Sequence, residues 1–188
     1  MKNSMKKISF AIAAVSLFSS ASVMAKNVIS YNYAGIQYIE QEVDDYDCNQ
    51  DGLRLGGSFE LNDDFFVLGA YSDVSGGRCG SENLSAGLGY RTLFGADSSI
   101  YGALSVENTS VDGHGESDSG LIAAAGIRGF VANNLELKAQ LAHHTAFDGN
   151  TVLSGGVAYW FVPNFSVTGD LGLGSESSEI AVGLRVSF

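Results

Sequence analysis

Strict alternation of apolar residues with small or polar residues runs through the sequence after residue 26, and it constrains the fold more than any other feature. Between residues 135 and 141, for example, Leu135, Leu137 and Leu141 alternate with polar positions. A period of two puts successive side chains on opposite faces of an extended strand, whereas a helix requires a period near 3.6. The pattern predicts strands at 29–42, 53–61, 65–73, 84–91, 100–109, 120–130, 135–146, 151–161, 165–173 and 180–188.

A weak internal repeat groups these strands into hairpins. A glycine followed by an apolar residue begins the same short pattern at Gly87, Gly126, Gly156 and Gly183, each in an even-numbered predicted strand. A looser version occurs in the second strand, so the repeating unit is a hairpin and five hairpins give ten strands. Eight strands remain the alternative, which requires one turn signal, such as 148–150, to be wrong.

The polar face of these strands differs from the surface of a soluble sheet. It consists mostly of Gly, Ser, Ala and Thr, with isolated charges of both signs and very little lysine. A sheet can cross a bilayer only as a closed barrel, with an apolar outer face and an inner face that can be polar. We therefore predict an all-β fold, a closed antiparallel transmembrane β-barrel with short periplasmic turns. Longer acidic extracellular loops are expected at 43–51, 75–82, 111–119 and 174–179.

Isolated charges on an inner face predict a lumen filled by ion pairs, because a buried charge is tolerable when it is paired. The alternative is a solvated strand face carrying ordinary surface charges, against which the scarcity of lysine argues. The predicted lumen charge network is Arg54, Glu60, Arg91, Glu107, Arg128, Glu136, Lys138, Asp170 and Arg185.

The N-terminus has the form of a secretory signal peptide. Three lysines in residues 1–7 precede an apolar run at 8–18, and small residues lead to Ala25. The apolar run is too short to span a bilayer as an anchor. Cleavage is expected after Ala25, leaving residues 26–188 as a single barrel domain. A retained membrane helix is the alternative.

The charge balance excludes one class of partner and suggests another. The chain has 10 Lys and Arg against 21 Asp and Glu, a net charge of −11, so binding of nucleic acid is not expected. Acidic loops suit Ca²⁺ or Mg²⁺, and weak candidate ligands are Asp45, Asp47, Asn49 and Asp51. Gln50 stands where a calcium loop needs glycine, so a hydrated acidic loop near lipopolysaccharide-bound cations is the favoured interpretation. No cofactor is expected.

Cys48 and Cys79 are predicted to form a disulfide, since an even number of cysteines in an exported chain indicates a bridge. Both lie near the tops of neighbouring hairpins, where a bridge would staple two outside loops. Catalysis has weaker support. His143 and His144 lie near the outer end of the seventh strand, and strand parity puts His144 inside, but no spacing specifies a catalytic triad. We expect no enzyme, with a lipid- or peptide-modifying enzyme as an alternative.

The last residues resemble the terminal signal by which the barrel assembly machinery recognises outer-membrane proteins. Gly183, Leu184, Val186 and Phe188 carry this resemblance, with apolar residues at alternate positions and a terminal Phe. Together with the start of the first strand at Tyr31, the chain resembles the small OmpA/OmpX-like porin family of Gram-negative outer-membrane barrels. That resemblance implies the cell outer membrane as location. It also implies outer-membrane lipids, lipopolysaccharide, the assembly machinery and periplasmic chaperones as partners of a monomer.

Besides the enzyme alternative, two functions follow from the sequence. The first is a structural or surface-interaction protein of the outer membrane whose lumen is plugged by charges. The second is a narrow pore for ions or small solutes. A ten-stranded barrel is only slightly wider than an eight-stranded barrel filled by side chains, which favours the plugged lumen.

Overall fold

The structure is a computed structural model that describes residues 29–43, 48–77, 79–95, 97–111, 116–175 and 177–188. It is a closed barrel of ten antiparallel strands, which confirms the predicted fold class. The predicted signal peptide at residues 1–25 lies outside the described residues, as do Asp45 and Asp47. The strands are β1 Tyr33–Val43, β2 Cys48–Glu60, β3 Phe65–Gly76, β4 Cys79–Leu93, β5 Ser98–Val111, β6 Glu116–Ala132, β7 Leu135–His144, β8 Asn150–Val162, β9 Phe165–Gly174 and β10 Ser177–Ser187.

The barrel is closed by pairing between its first and last strands. Tyr33 is opposite Ser187 of β10 on one side and opposite Ser58 of β2 on the other. Every strand therefore has two neighbours, and the sheet has no free edge. Closure of this kind allows a sheet to lie in lipid, because its backbone groups bond to one another.

Side chains alternate between an apolar outer face and a small or charged inner face. On β2, Leu53, Leu55 and Phe59 are about half exposed, whereas Ser58 is buried in the lumen. The run of apolar residues at the start of β3 left its facing ambiguous. The structure turns Phe66 inward and Phe65 outward, because Phe66 packs against Tyr31 and Tyr101 inside the barrel. The described residues include no helix long and apolar enough to cross a membrane.

The strands extend further at the outer end than the sequence predicted. β2 begins at Cys48 instead of residue 53, and two residues, 77 and 78, separate β3 from β4. The expected longer outside connections are correspondingly shorter, and Asp51, Glu82 and Asp118 lie within strands. Polar residues above the apolar belt continue the backbone ladder, and a ladder needs backbone groups rather than apolar side chains. Apolar alternation therefore underestimates strand length.

Two aromatic residues near strand ends, Phe130 and Trp160, point into the lumen. Trp160 is almost fully buried, and Phe130 packs at its side with ring centroids 6.4 Å apart. The register shifts between Phe130 and Ala132 and again between Trp160 and Val162, where each strand contains a bulge. Phe65 and Tyr90 remain on the outer face in edge contact, at 5.3 Å between centroids. Such rings fit the interfacial belt of a membrane barrel.

Candidate functional site

The lumen of the barrel is the candidate functional site, because charged side chains converge there. All nine residues of the predicted network project inward; eight take part in ion pairs, and Glu107 shares a hydrogen bond with His144. Two partners were missing from the prediction: Glu179, which falls in a segment assigned to an outside loop, and His144, which was considered only as a catalytic residue. The ion pairs are Arg54–Glu179, Arg91–Glu60, Arg128–Glu136, Arg185–Glu136 and Lys138–Asp170.

Glu136 is the centre of the most buried part of the network, which we call the Glu136 layer (Arg128, Glu136, Trp160 and Arg185). Its side chain is 3 % exposed. Arg128 Nε donates to one carboxylate oxygen at 2.8 Å, while Arg185 and the Trp160 indole donate to the other. Charge-assisted bonds from two guanidinium groups offset the cost of burying this carboxylate. The layer is therefore a buried, hydrogen-bonded cluster inside the lumen.

Aromatic rings flank the two arginines of the Glu136 layer. The guanidinium carbon of Arg185 lies 4.7 Å from the Trp160 ring centroid and 5.4 Å from that of Tyr33. Arg128 lies 4.7 Å from the Tyr31 ring. Cations over aromatic faces are attracted by the ring quadrupole and are held more strongly away from water. The rings thus fill the space between the charges and leave the arginines little freedom to move.

An aromatic cluster lies inside the lumen at the end of the barrel where β1 begins and β10 ends. Tyr31 contacts Phe66 with ring centroids 4.4 Å apart and Tyr101 at 6.0 Å. Ile29 joins them, and all four side chains are buried. Burial raises the pKa of the Tyr31 phenol, so the hydroxyl stays protonated in its hydrogen bond with Ser99.

A small polar cavity of about 90 Å³ lies above the Glu136 layer. Lys138 and Asp170 pair across it at 2.9 Å, and the Gln37 amide donates to Asp170 at 2.6 Å. Gly156 keeps part of this space free, because a Cβ atom there would lie 2.1 Å from an Asp170 oxygen. The remaining lining comes mainly from Gly35, Gly56, Thr168 and the edges of Glu136 and Arg185. A few water molecules fit such a polar space.

The outer half of the lumen contains apolar contacts as well as ion pairs. Ile39, Val74 and Ala181 form a buried apolar cluster. Arg54 donates two hydrogen bonds to Glu179, at 2.6 and 2.5 Å, in a bidentate pair. This pair is more exposed than the Glu136 layer, with side chains 30 % and 22 % accessible. The outer end is therefore partly hydrated.

The predicted disulfide between Cys48 and Cys79 is confirmed. It joins the first residue of β2 to the first residue of β4, with Cα atoms 6.6 Å apart. Just below it, the Ser81 hydroxyl donates to Gln50 at 3.1 Å. The bridge thus spans the outer end of β3 and ties three strands together at the mouth of the barrel.

The candidate metal ligands do not form a site among the described residues. Asn49 and Asp51 project from the outer face, and Asp51 accepts a hydrogen bond from the Tyr38 hydroxyl at 2.8 Å. The described part of the chain contains no group of three His, Cys, Asp or Glu residues placed to hold a metal ion. Because Asp45 and Asp47 lie outside it, the hydrated acidic loop stays the favoured prediction and calcium binding its alternative.

The two histidines lie on opposite sides of the barrel wall. His143 shares a hydrogen bond of 2.9 Å with the Thr151 hydroxyl on the outer face. His144 faces the lumen and contacts the Glu107 carboxylate, also at 2.9 Å. A hydrolase triad needs one imidazole to contact both a hydroxyl and a carboxylate. Here the two contacts belong to different histidines separated by the sheet.

The C-terminal residues expected to form the assembly signal alternate as predicted. Leu184, Val186 and Phe188 project outward, and Gly183 faces inward. The Phe188 amide donates to the Asn32 carbonyl at 3.2 Å. Recognition of this strand by the assembly machinery stays a prediction.

Comparison with known proteins yields a likeness of fold alone. No protein-family model matches the chain, and no curated protein sequence is similar to it. Among solved structures, the KdgM porin in complex with disordered oligogalacturonate is similar at a TM-score of 0.51 and 14 % identity, covering 83 % of this chain and 99 % of the porin. An outer-membrane channel from Pseudomonas putida F1 gives 0.52 and 11 %, covering 87 % and 98 %. The NanC porin gives 0.51 and 6 %, covering 82 % and 100 %.

The fold and the outer surface together define the class of this protein. The similar structures are porins and channels of the outer membrane. The barrel presents a belt of exposed Leu, Ile, Val and Phe side chains, as a lipid-facing surface requires. The chain is a closed β-barrel with a surface suited to lipid, similar in fold to these outer-membrane barrels.

Proposed function

We propose that this protein is a structural or surface-interaction barrel of the outer membrane whose lumen is closed by its own side chains. The observation that carries the proposal is the Glu136 layer, in which a buried carboxylate binds two arginines and a tryptophan. The aromatic cluster around Tyr31 lies against its periplasmic side. A solute crossing the barrel would have to separate these buried pairs, each of which is costly to break.

The outer face supports a role at the lipopolysaccharide surface. The five Lys and Arg residues in the described part of the chain all have ion-pair partners in the lumen. Carboxylates lie on the outer face above the apolar belt, where Tyr38 donates to Asp51 and Tyr71 donates to Glu82. An acidic rim meets anionic lipid phosphates most readily through divalent cations. We infer lipopolysaccharide and its bound cations as the nearest partners of this rim.

Solute uptake by proteoliposomes tests the closed lumen. The purified, refolded barrel is reconstituted into multilamellar liposomes, which are diluted into isotonic solutions of small sugars or amino acids. Swelling at the rate of protein-free liposomes is the expected result. Swelling that grows with the amount of barrel protein would contradict the proposal, provided that heat-modifiable gel migration shows the protein to be folded.

A narrow pore is the second candidate function. Two observations favour it: the polar cavity beside Lys138 and Asp170, and the similarity of fold to porins and channels. In this alternative the Glu136 layer would be a constriction that ions pass. The two functions predict different permeation. A closed barrel would pass neither ions nor solutes, whereas a narrow pore would admit small ions and exclude larger solutes.

The remaining assignments are part of the same proposal. We infer export through a signal peptide cleaved after Ala25, insertion by the assembly machinery through the strand that ends at Phe188, and a monomeric state. Kinship with the small OmpA/OmpX-like family is retained as an inference from the sequence. An enzymatic role is the least supported alternative, because the His143 and His144 contacts lie on opposite faces of the wall.

A further inference from the structure

The chain contains a short segment that enters the barrel from below without being part of its wall. Residues 29–32, here called the N-terminal strap, precede β1, whose pairing with β2 and β10 begins at Tyr33. The barrel is therefore closed without the strap. Yet Ile29 and Tyr31 are 4 % and 3 % exposed, within the range of the buried core residues. Their burial needs an explanation other than closure of the sheet.

Side chains of the wall hold the strap in place. Glu60 accepts the Tyr31 amide at 2.7 Å and the Asn32 side-chain amide at 3.2 Å, while its own amide donates to the Asn32 side chain at 2.8 Å. Arg91 donates to the Ile29 carbonyl at 3.3 Å. The Ser58 hydroxyl donates to the Tyr31 carbonyl. Side chains of the wall thus hold residues 29–31, whereas Asn32 also continues the backbone pairing with β10, because its carbonyl accepts from the Phe188 amide. Release of residues 29–31 would leave the pairing of β1 from Tyr33 onward in place.

The Tyr31 ring occupies a socket at the floor of the lumen. Phe66 and Tyr101 contact its ring, and Arg91 and Arg128 lie 5.0 and 4.7 Å from its centroid. Its hydroxyl lies 2.9 Å from the hydroxyl of Ser99, which is fully buried. Removal of this ring would open the socket to the periplasm directly below the Glu136 layer.

We propose that the N-terminal strap is an autoinhibitory plug that closes the periplasmic entrance of the lumen. The Tyr31 ring fills the entrance, and Glu60 holds the strap in place. The inference deepens the proposed function and rests on it, because Tyr31 is one of the side chains proposed there to close the lumen. It adds a releasable element to a network that is otherwise built into the wall.

Thiol labelling at Ser99 tests the plug. Ser99→Cys places a small thiol directly beneath Tyr31, and the two native cysteines are joined in a disulfide and do not react. The folded protein in detergent micelles is treated with a charged methanethiosulfonate reagent. With the strap seated, modification is expected to be far slower than at the exposed turn residue in Asn133→Cys. Adding Tyr31→Ala should accelerate it by about tenfold or more, the change expected when a buried hydrogen-bonded contact is lost.

A matched control separates plug release from loosening of the barrel. Ala181 is also buried, at 1 % exposure, but it belongs to the apolar cluster in the outer half of the lumen, beyond the Glu136 layer. In Ala181→Cys, Tyr31→Ala should leave the labelling rate unchanged. The proposal is overturned if Tyr31→Ala does not accelerate labelling at position 99, or if it accelerates both positions alike.

Liposome swelling distinguishes failure of the plug from failure of the closed lumen. If the wild-type barrel admits solutes while the thiol at position 99 stays protected, the closed lumen is wrong and the strap still covers its socket. If wild-type liposomes do not swell and the thiol reacts as fast as an exposed one, the lumen is closed and the plug is wrong.

Discussion

Replacement of Glu136 by glutamine is expected to destabilise the barrel more than any other single charge removal in the lumen. The substitution keeps the shape of the side chain but leaves Arg128 and Arg185 without the carboxylate that both bind. Breaking a buried pair by removing one partner costs roughly 3–5 kcal/mol. Since the glutamine oxygen still accepts one hydrogen bond, the expected loss is about 3 kcal/mol, at the lower end of that range.

Glu179→Gln provides the matched control. Its partner Arg54 and Glu179 itself are 30 % and 22 % exposed, so water compensates the unpaired arginine. Partly exposed ion pairs contribute about 1 kcal/mol or less. The two variants make the same chemical change in a more buried ion pair and in a more exposed one.

Urea unfolding in phospholipid vesicles measures the free energy of unfolding of both variants, and a tryptophan inside the site reports the transition. Trp160 is the one tryptophan of the chain, and its indole donates to Glu136 at 3.2 Å. Its fluorescence therefore follows the Glu136 layer itself, and gel migration follows the whole barrel. Equal destabilisation by Glu136→Gln and Glu179→Gln would refute the argument that burial makes the central layer rigid.

Three further predictions concern the disulfide, the terminus and the histidines. The double variant Cys48→Ser, Cys79→Ser should lower the free energy of unfolding by about 3 kcal/mol, because the unfolded chain between the two positions is no longer restricted. Reduced wild-type protein should show the same free energy of unfolding as this variant in the same urea titration. Phe188→Ser should reduce the heat-modifiable form in outer-membrane fractions, while Phe188→Tyr keeps it; equal yields would contradict a terminal assembly signal. His144→Ala and the control His143→Ala should both leave the mass spectrum of lipid A unchanged. Loss of a lipid A form in His144→Ala but not in His143→Ala would favour an enzyme.

The sequence predicted the strands because the barrel wall separates two environments. Alternation is strict where one face meets lipid, so Leu53 and Leu55 could be assigned to the outer face of β2 without a structure. Alternation fades where both faces meet water or polar groups. There the predicted second strand began at residue 53, five residues after the observed start of β2 at Cys48. Strand number and facing were thus predictable, while strand ends were not.

The lumen charges were predictable as a set but not as pairs. The alternation within β2 is enough to predict that Arg54 points inward. Its partner Glu179, however, lies on β10, which is separated from β2 by β1. Pairing depends on register between strands distant in sequence, which local patterns do not contain. The burial of Tyr31 was missed for a similar reason, because its socket is formed by residues of four other strands.

Planar-bilayer recording of the purified, refolded wild-type barrel tests the central claim most directly, since the closed lumen predicts no path for ions past the Glu136 layer. A closed lumen predicts membranes that stay at baseline conductance. Heat-modifiable gel migration must show that the inserted protein is folded. Stable, uniform unitary currents would contradict the closed lumen and would favour the narrow pore.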